Sequence, residues 1–246
     1  LPEARLQALT FSRFGEAGSV IVLSGGPKTL VLQDVAFRGN GSLTTDTQLI
    51  SGSLGRVDTS VSPWTVLPGR ALLRRVTITD NLNVDAAHFG GDAGEVTYER
   101  YTCANNVESW GCVSAHGHCS VGSVDLTIRS ADLSDNSGSG FLLRLSGAVA
   151  ADVDGLRLQA NKLNSNISAM RLIRTECFHP LHPQPRLTLD VRNAAITDNE
   201  SPGRFSVLQT EGCTPAPAQL SHVRFRDTEI LRNVSTWSSS GATLHR

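Results

Sequence analysis

The chain has 246 residues and a formal net charge of -1, and 18% of its residues are charged, below the roughly 25% usual for soluble domains. That balance gives no long-range field for steering onto nucleic acid or an anionic membrane, and no run approaches the roughly 20 apolar residues that span a bilayer. The apolar residues are mostly Leu, Val and Ile in short alternating groups, the pattern of an all-β chain.

Six stretches repeat one motif. In chain order they are LVLQDVAFRGN (30–40), ALLRRVTITDN (71–81), LTIRSADLSDN (126–136), LRLQANKLNSN (156–166), LDVRNAAITDN (189–199) and VRFRDTEILRN (223–233). Each ends in asparagine, and the residues ten, eight, five and three places before it form one apolar set. In the first stretch these are Leu30, Leu32, Val35 and Phe37; in the third, Leu126, Ile128, Ala131 and Leu133. The 156–166 copy keeps the pattern apart from Asn161, a polar residue in an apolar place. Steps of two are strand alternation. The step of three breaks it, so the chain turns a corner there, with two short strands meeting at an angle. A third apolar group follows the asparagine: Phe141, Leu143 and Leu145; Met170 and Leu172; Val207; Ala242 and Leu244.

Two weaker copies complete the series: ARLQALTFSRF (4–14), with Phe14 in place of asparagine, and EVTYERYTCAN (95–105), whose apolar phase is shifted by one. The turn positions 14, 40, 81, 105, 136, 166, 199 and 233 are then separated by 26, 41, 24, 31, 30, 33 and 34 residues. That period fits one coil of a β-helix plus loops. A β-sandwich would turn every 8–12 residues, and a leucine-rich repeat has a shorter period. The expected fold is all-β: one single-stranded right-handed parallel β-helix over residues 1–246, of about eight coils with three short strands each. An asparagine side chain both donates and accepts hydrogen bonds, so copies stacked along the axis can bond to one another, and it tolerates a left-handed corner. The expected turn ladder is Asn40, Asn81, Asn105, Asn136, Asn166, Asn199 and Asn233, structural rather than catalytic.

The spacing Phe37-x-x-Asn40, repeated at Ile78-x-x-Asn81, Leu133-x-x-Asn136, Leu163-x-x-Asn166, Ile196-x-x-Asn199 and Ile230-x-x-Asn233, resembles the F-x-x-N repeat of polymorphic outer-membrane-protein-type adhesins. The place of their G-G-A-[IL] element is taken by 137–141, 167–170, 201–205 and 239–242. The resemblance implies a β-helical passenger, often adhesive, on a surface, within the broad pectate-lyase-like class of β-helices.

Of five cysteines, Cys177 and Cys213 occupy corresponding parts of successive coils. Stacked coils lie about 4.8 Å apart, within disulfide reach, so they are expected to pair. Two of Cys103, Cys112 and Cys119 are expected to pair within one coil, leaving one cysteine over. No spacing matches a zinc site, so an oxidising, extracellular or cell-surface compartment is the expectation. The chain begins at Leu1, as after signal-peptide removal or as a piece of a longer extracellular protein. N-x-[ST] sequons fall at Asn40, Asn166, Asn199 and Asn233. They mark candidate glycosylation sites, although the serine belongs to the repeat and a laddered asparagine has no room for a glycan.

No catalytic site, cofactor or metal is expected. Polysaccharide-acting β-helices need several carboxylates or bases on adjacent coils of one face. Asp80, Asp135 and Asp198 share the place before the turn asparagine, but in the expected register Ala104 and Ser165 interrupt them. The histidine pairs His116/His118 and His179/His182 read as loop residues, and Trp64, Trp110 and Trp237 as sugar-stacking platforms or lids. An ice-binding face would need a regular Thr or Ser array, and Arg129, Asp190, Arg192, Arg224 and Arg226 interrupt one. Two functions compete. One is a non-enzymatic structural or adhesive module that binds extracellular proteins or glycans and assembles through its uncapped ends. The other is a carbohydrate-active enzyme, to be recognised by a groove with three or more carboxylates or bases on one face.

Overall fold

The computed structural model describes residues 3–15, 18–23, 28–42, 46–58, 60, 65–107, 111–117, 123–138, 141–163, 169–176, 187–201, 204–211 and 222–235. Among these residues the regular structure is all β-strand. Sheet one carries, in order, Glu3–Gln7, Thr29–Gln33, Gly69–Arg74, Gly94–Ala104, Val124–Ser134, Val149–Gln159, Thr188–Thr197 and His222–Leu231. The short strands Thr10–Ser12, Ala36–Arg38 and Thr77–Thr79 join it beside the early members. Sheet two carries Gly18–Leu23, Thr47–Leu54, Val84–Gly91, Val113–Gly117, Phe141–Gly147, Ala169–Glu176 and Arg204–Glu211. A narrow sheet three carries Ser137–Gly138, Lys162–Leu163, Glu200–Ser201 and Val234–Ser235.

All three sheets are parallel, and the chain visits them in rotation. After Val124–Ser134 in sheet one it passes Ser137–Gly138 in sheet three, then Phe141–Gly147 in sheet two, and returns to sheet one at Val149–Gln159. One antiparallel hairpin, Arg56–Asp58 with Thr65–Leu67, occupies the insertion that makes the 40-to-81 repeat long.

The parallel register stacks like positions on like. Leu30, Ala71, Val96, Leu126, Ala151 and Leu189 form one interior column, and Leu32, Leu73, Tyr98, Ile128, Val153 and Val191 the next. These residues are buried to 5% exposure or less. After the second column, two consecutive residues face out in Gly94–Ala104 and again in Val124–Ser134. The second of them, six places before the asparagine, has positive φ in every repeat: Ala8, Asp34, Arg75, Arg100, Ser130, Gly155, Asn193 and Asp227. A left-handed residue turns the strand without breaking its hydrogen bonds. The corner predicted from the step of three therefore exists. From Gly94 onward, however, the two limbs form one continuous bent strand, not two separate ones.

A second left-handed residue lies immediately before Phe14 and before each ladder asparagine: Arg13, Gly39, Asp80, Asn105, Asp135, Ala160, Asp198 and Arg232. This corrects the expected turn ladder at two places. Asn105 is the exposed left-handed residue, and Asn106, with 0% exposure, is the ladder member. Asn161, the apparent polar intruder, is the ladder member in its repeat, and Asn166 lies outside the described residues. The repeats end at 14, 40, 81, 106, 136, 161, 199 and 233, so the 156–166 alignment is five residues late.

Each interior asparagine satisfies its whole amide. The backbone N–H and Nδ2 of Asn81 both donate to Oδ1 of Asn106, at 3.1 and 2.9 Å. Asn106 donates in the same way to Asn136, at 3.1 and 2.9 Å. The second Nδ2 hydrogen reaches back to a carbonyl of the preceding repeat, as from Asn106 to Ile78 at 3.1 Å and from Asn136 to Cys103 at 2.8 Å. The series runs Asn40, Asn81, Asn106, Asn136, Asn161, Asn199, Asn233. At its start Phe14 offers only its backbone N–H to Asn40, at 3.2 Å. Cys103 and Cys112 form a disulfide with a Cα separation of 5.8 Å, closing the stretch between sheets one and two in the Asn106 repeat. Cys119 and the expected Cys177–Cys213 staple lie outside the described residues.

These assignments separate two adjacent asparagines. Asn106→Ala strands the two Asn81 donors in the interior and is expected to cost about 3 kcal/mol, since each buried unsatisfied group costs roughly 1–3 kcal/mol. Asn105→Gly places a residue that accepts positive φ at an exposed site and should change stability by no more than about 0.5 kcal/mol. Denaturant melts of the two variants check this, and a larger loss at Asn105 than at Asn106 would refute the ladder assignment.

Candidate functional site

Parallel register also lines up alternate residues of sheet two into rows, in which Ser114 and Ser146 are buried. On sheet two, one row reads Val22, Ser51, His88, Ser114, Arg144 and Arg174. The row two residues further along reads Ser53, Gly90, His116, Ser146 and Glu176. Neighbouring strands are about 4.8 Å apart, so these rows bring imidazole, hydroxyl and guanidinium groups from four successive repeats onto one strip. The ring of His116 is bonded through Nδ1 to Oγ of Ser146 at 2.7 Å. The Arg144 guanidinium lies over the Phe141 ring, 5.4 Å from its centroid. The ring can lie where it does because residue 111 is glycine: a Cβ there would approach the Phe141 ring to 2.7 Å.

Asp85 stands at the edge of this strip. Its Oδ2 is 3.8 Å from Nδ1 of His88, while its Oδ1 is buried with no hydrogen-bond partner among the described residues. Burial lifts its pKa above the ordinary carboxylate range, the charges of His88 and Arg144 pull it down, and Asp46 adds to the rise. Its charge also reaches the interior. The hydroxyls of Tyr98 and Tyr101 are held above the usual tyrosine range, first by burial, with Asp85 contributing. Tyr101 donates its hydroxyl to the Cys112 carbonyl at 2.9 Å. The fully buried Tyr98 hydroxyl has no partner among the described residues.

Sequence reasoning singled out His116 but not Asp85, His88 or Arg144. The signal for the first two was present in Val-Asp-Ala-Ala-His-Phe, where Asp85 and His88 are, with Gly90, the half-exposed members of an otherwise buried strand. The aspartates before the ladder form no patch: Asp80, Asp135 and Asp198 alternate with Asn105 and Ala160 rather than the expected Ala104 and Ser165. Asp198 is lowered to about 2, chiefly by hydrogen bonds from Arg232. His118, His179, His182, Trp64, Trp110 and Trp237 lie outside the described residues. Among the described residues no group of three His, Cys, Asp or Glu is placed to hold a metal ion. Among the same residues no helix is long and apolar enough to cross a membrane. No protein-family model, no curated protein and no solved structure matches the chain.

A carboxyl group whose pKa is raised by folding stabilises the fold only while it is protonated. That contribution is full below the unfolded value, about 3.9, and is lost as pH rises through the raised folded value. Asp85→Asn keeps the shape and removes the buried charge. It is expected to raise the melting temperature at pH 7, with the gain shrinking toward pH 4. A variant less stable than the parent at pH 7 would show that the Asp85 carboxylate is a favourable partner of His88 and Arg144.

Proposed function

We propose that this chain is a right-handed parallel β-helix, a secreted or cell-surface module that binds an anionic glycan on the outward strip of sheet two. Rotation through three parallel sheets supports a single winding, and parallel crossovers are right-handed in about 98% of cases. The Cys103–Cys112 disulfide fits an oxidising compartment. The observation that carries the binding reading is the row His88, Ser114, Arg144 and Arg174. Its repeat along the winding direction matches an extended polymer, and guanidinium groups pair with carboxylate or sulfate through fixed donor geometry. Arg144 is held over Phe141, an arrangement that spares side-chain entropy on binding.

A second reading, a carbohydrate-active enzyme, is favoured by one observation. Asp85, His88 and His116 place three ionisable groups on adjacent repeats, and one of them is a carboxyl with a raised pKa. Such groups are candidates for proton transfer.

One experiment addresses both readings. Immobilised polygalacturonate and a sulfated glycan are offered to the chain at low salt. The expected result is retention that weakens with salt and falls about tenfold or more in the His88→Ala/Arg144→Ala double variant, without release of unsaturated or shortened sugars. Sugar release that Asp85→Asn abolishes would establish the enzyme instead, and no retention of either glycan would remove the glycan-binding reading.

The ladder also bears on glycosylation. Asn40 and Asn199 are 1% and 0% exposed. The Nδ2 of each donates to a backbone carbonyl and to the next asparagine. A glycan on that nitrogen would replace one of these hydrogens within the stacked interior. Both sequons are therefore expected to stay unmodified in secreted material. Peptide mass spectrometry of chain secreted from a eukaryotic host checks this; a glycan at Asn40 or Asn199 would contradict the ladder.

A further inference from the structure

The ladder asparagines differ in the residue that follows them. After Asn81, Asn106, Asn136, Asn161, Asn199 and Asn233 come Leu82, Val107, Ser137, Lys162, Glu200 and Val234. Asn40 is followed by Gly41, the one Asn-Gly step in the chain. The glycine is a geometric requirement. Gly41 bridges to Leu82 of the next repeat with φ at +103°, and a Cβ there would collide with the Leu82 carbonyl oxygen. The Gly41 nitrogen therefore has no side chain of its own residue to shield it.

An Asn-Gly step carries its own chemistry. The glycine nitrogen, giving up its proton, attacks Cγ of the asparagine. The Cγ–Nδ2 bond breaks, ammonia leaves, and a cyclic imide remains. Water then opens the imide to aspartate, or to isoaspartate, in which the main chain runs through the side-chain carboxyl carbon. Neither an enzyme nor an oxidant takes part. The step needs a free glycine N–H, a side-chain carbonyl turned toward it, and an amide nitrogen able to depart.

The fold holds all three. The Gly41 N–H donates to the Phe14 carbonyl at 2.7 Å. Oδ1 of Asn40 accepts the Phe14 N–H at 3.2 Å. Nδ2, the nitrogen that would leave, donates to the Phe11 carbonyl at 3.1 Å and to Oδ1 of Asn81 at 3.0 Å. Three of these four bonds are made with Phe11 and Phe14 of the first repeat, where the Phe11 ring stacks on Phe37 at 5.0 Å between centroids. That repeat is also the one most lightly tied to the ladder. Phe14 gives Asn40 a single donor, whereas Oδ1 of each later rung receives two, as Asn81 does from Asn40 at 2.9 and 3.0 Å. Proteins open locally, and the segments with the fewest bonds open most often.

We propose that Asn40-Gly41 is a site of spontaneous imide formation and hydrolysis, closed while residues 10–14 lie against it and reactive whenever they lift. The product opposes return. A carboxylate at residue 40 has no hydrogen to donate, so its oxygens would face the Phe11 carbonyl and Oδ1 of Asn81 with no proton between them. Residue 40 is thus a fuse. An opening of the first repeat that lasts long enough to react leaves that repeat undocked, while the ladder from Asn81 onward keeps its bonds.

The full chain is incubated at mildly alkaline pH, and mass spectrometry of the tryptic peptide 39–56 follows the conversion of Asn40. A synthetic peptide of residues 37–44, FRGNGSLT, is the open reference. Conversion in the chain is expected to be about a hundredfold slower than in the peptide, a factor set by how rarely the first repeat opens. Phe11→Ala, which removes the ring stacked on Phe37, is expected to accelerate it about tenfold without accelerating conversion at Asn136-Ser137. Conversion of the parent chain at the rate of the peptide would overturn the proposal, as would an unchanged rate in Phe11→Ala. If both asparagines accelerate together, that variant has loosened the whole chain, and a second variant decides. Asn40→Asp installs the product directly. Its hydrogen-exchange protection is expected to be lost over residues 4–12 and kept over residues 94–134. Protection kept over both segments, or lost over both, would overturn the fuse.

Discussion

The interaction on which the rest depends is the hydrogen bonding of stacked asparagines. A carboxamide has two donors and two acceptor sites, and in this geometry each interior rung uses all of them. Two donors from one rung converge on a single Oδ1, and the remaining amide hydrogen returns to a carbonyl of the previous repeat. A buried polar group that is fully satisfied costs little, whereas one left open costs roughly 1–3 kcal/mol. Serine or aspartate would leave part of this set unmade. The requirement recurs in every repeat, which is why the residue does too.

The ladder fixes what comes immediately before it and leaves free what comes after. Upstream, the offsets are rigid: left-handed residues stand one and six places before the asparagine in all eight repeats, and the interior columns stand at constant spacing between and beyond them. Downstream, the distance to sheet two varies. His88 lies seven residues after Asn81, Ser114 eight after Asn106, and Arg174 thirteen after Asn161. Loop length is a weak thermodynamic constraint, because closure entropy grows only logarithmically. Insertions therefore collect on this side of each repeat, including the hairpin of Arg56–Asp58 and Thr65–Leu67.

This asymmetry explains how much could be read from the sequence. Columns such as Leu30, Leu126 and Leu189 were legible because period and offset are both constant. Two repeats were misplaced where asparagines crowd together. At Asn105-Asn106 the adjacent pair hides which residue turns left-handed and which is buried, and the tyrosines of Val96-x-Tyr98-x-x-Tyr101-x-Cys103 disguise an otherwise regular apolar set. At 161–166 the run Asn-Lys-Leu-Asn-Ser-Asn offers three candidates, and the last of them also fits the Leu163-x-x-Asn166 spacing. The correct frame, Ala151, Val153, Leu156, Leu158 and Asn161, obeys the spacing without exception. The strip of His88, Ser114, Arg144 and His116 was illegible for a different reason. The row His88, Ser114, Arg144 and Arg174 keeps no constant offset from the repeat, so only the parallel register brings the four together.

The same comparison gives the strip its weight. Along the ladder, buried polar atoms are satisfied with little exception, and several outward aspartates of sheet one face an arginine of a neighbouring repeat, as Asp34 faces Arg75 and Asp152 faces Arg129. Asp85 departs from both habits. One of its oxygens is buried without a partner among the described residues, and the charge that would relieve it is shared between an imidazole 3.8 Å away and an arginine already lying over an aromatic ring. Other buried polar atoms are also left open among the described residues, the hydroxyls of Thr47 and Tyr98 among them, but the ladder has no structural need for this carboxyl. Local violations of otherwise consistent rules concentrate at functional sites. The departure at Asp85 is such a place, where a regular structure leaves chemistry unfinished.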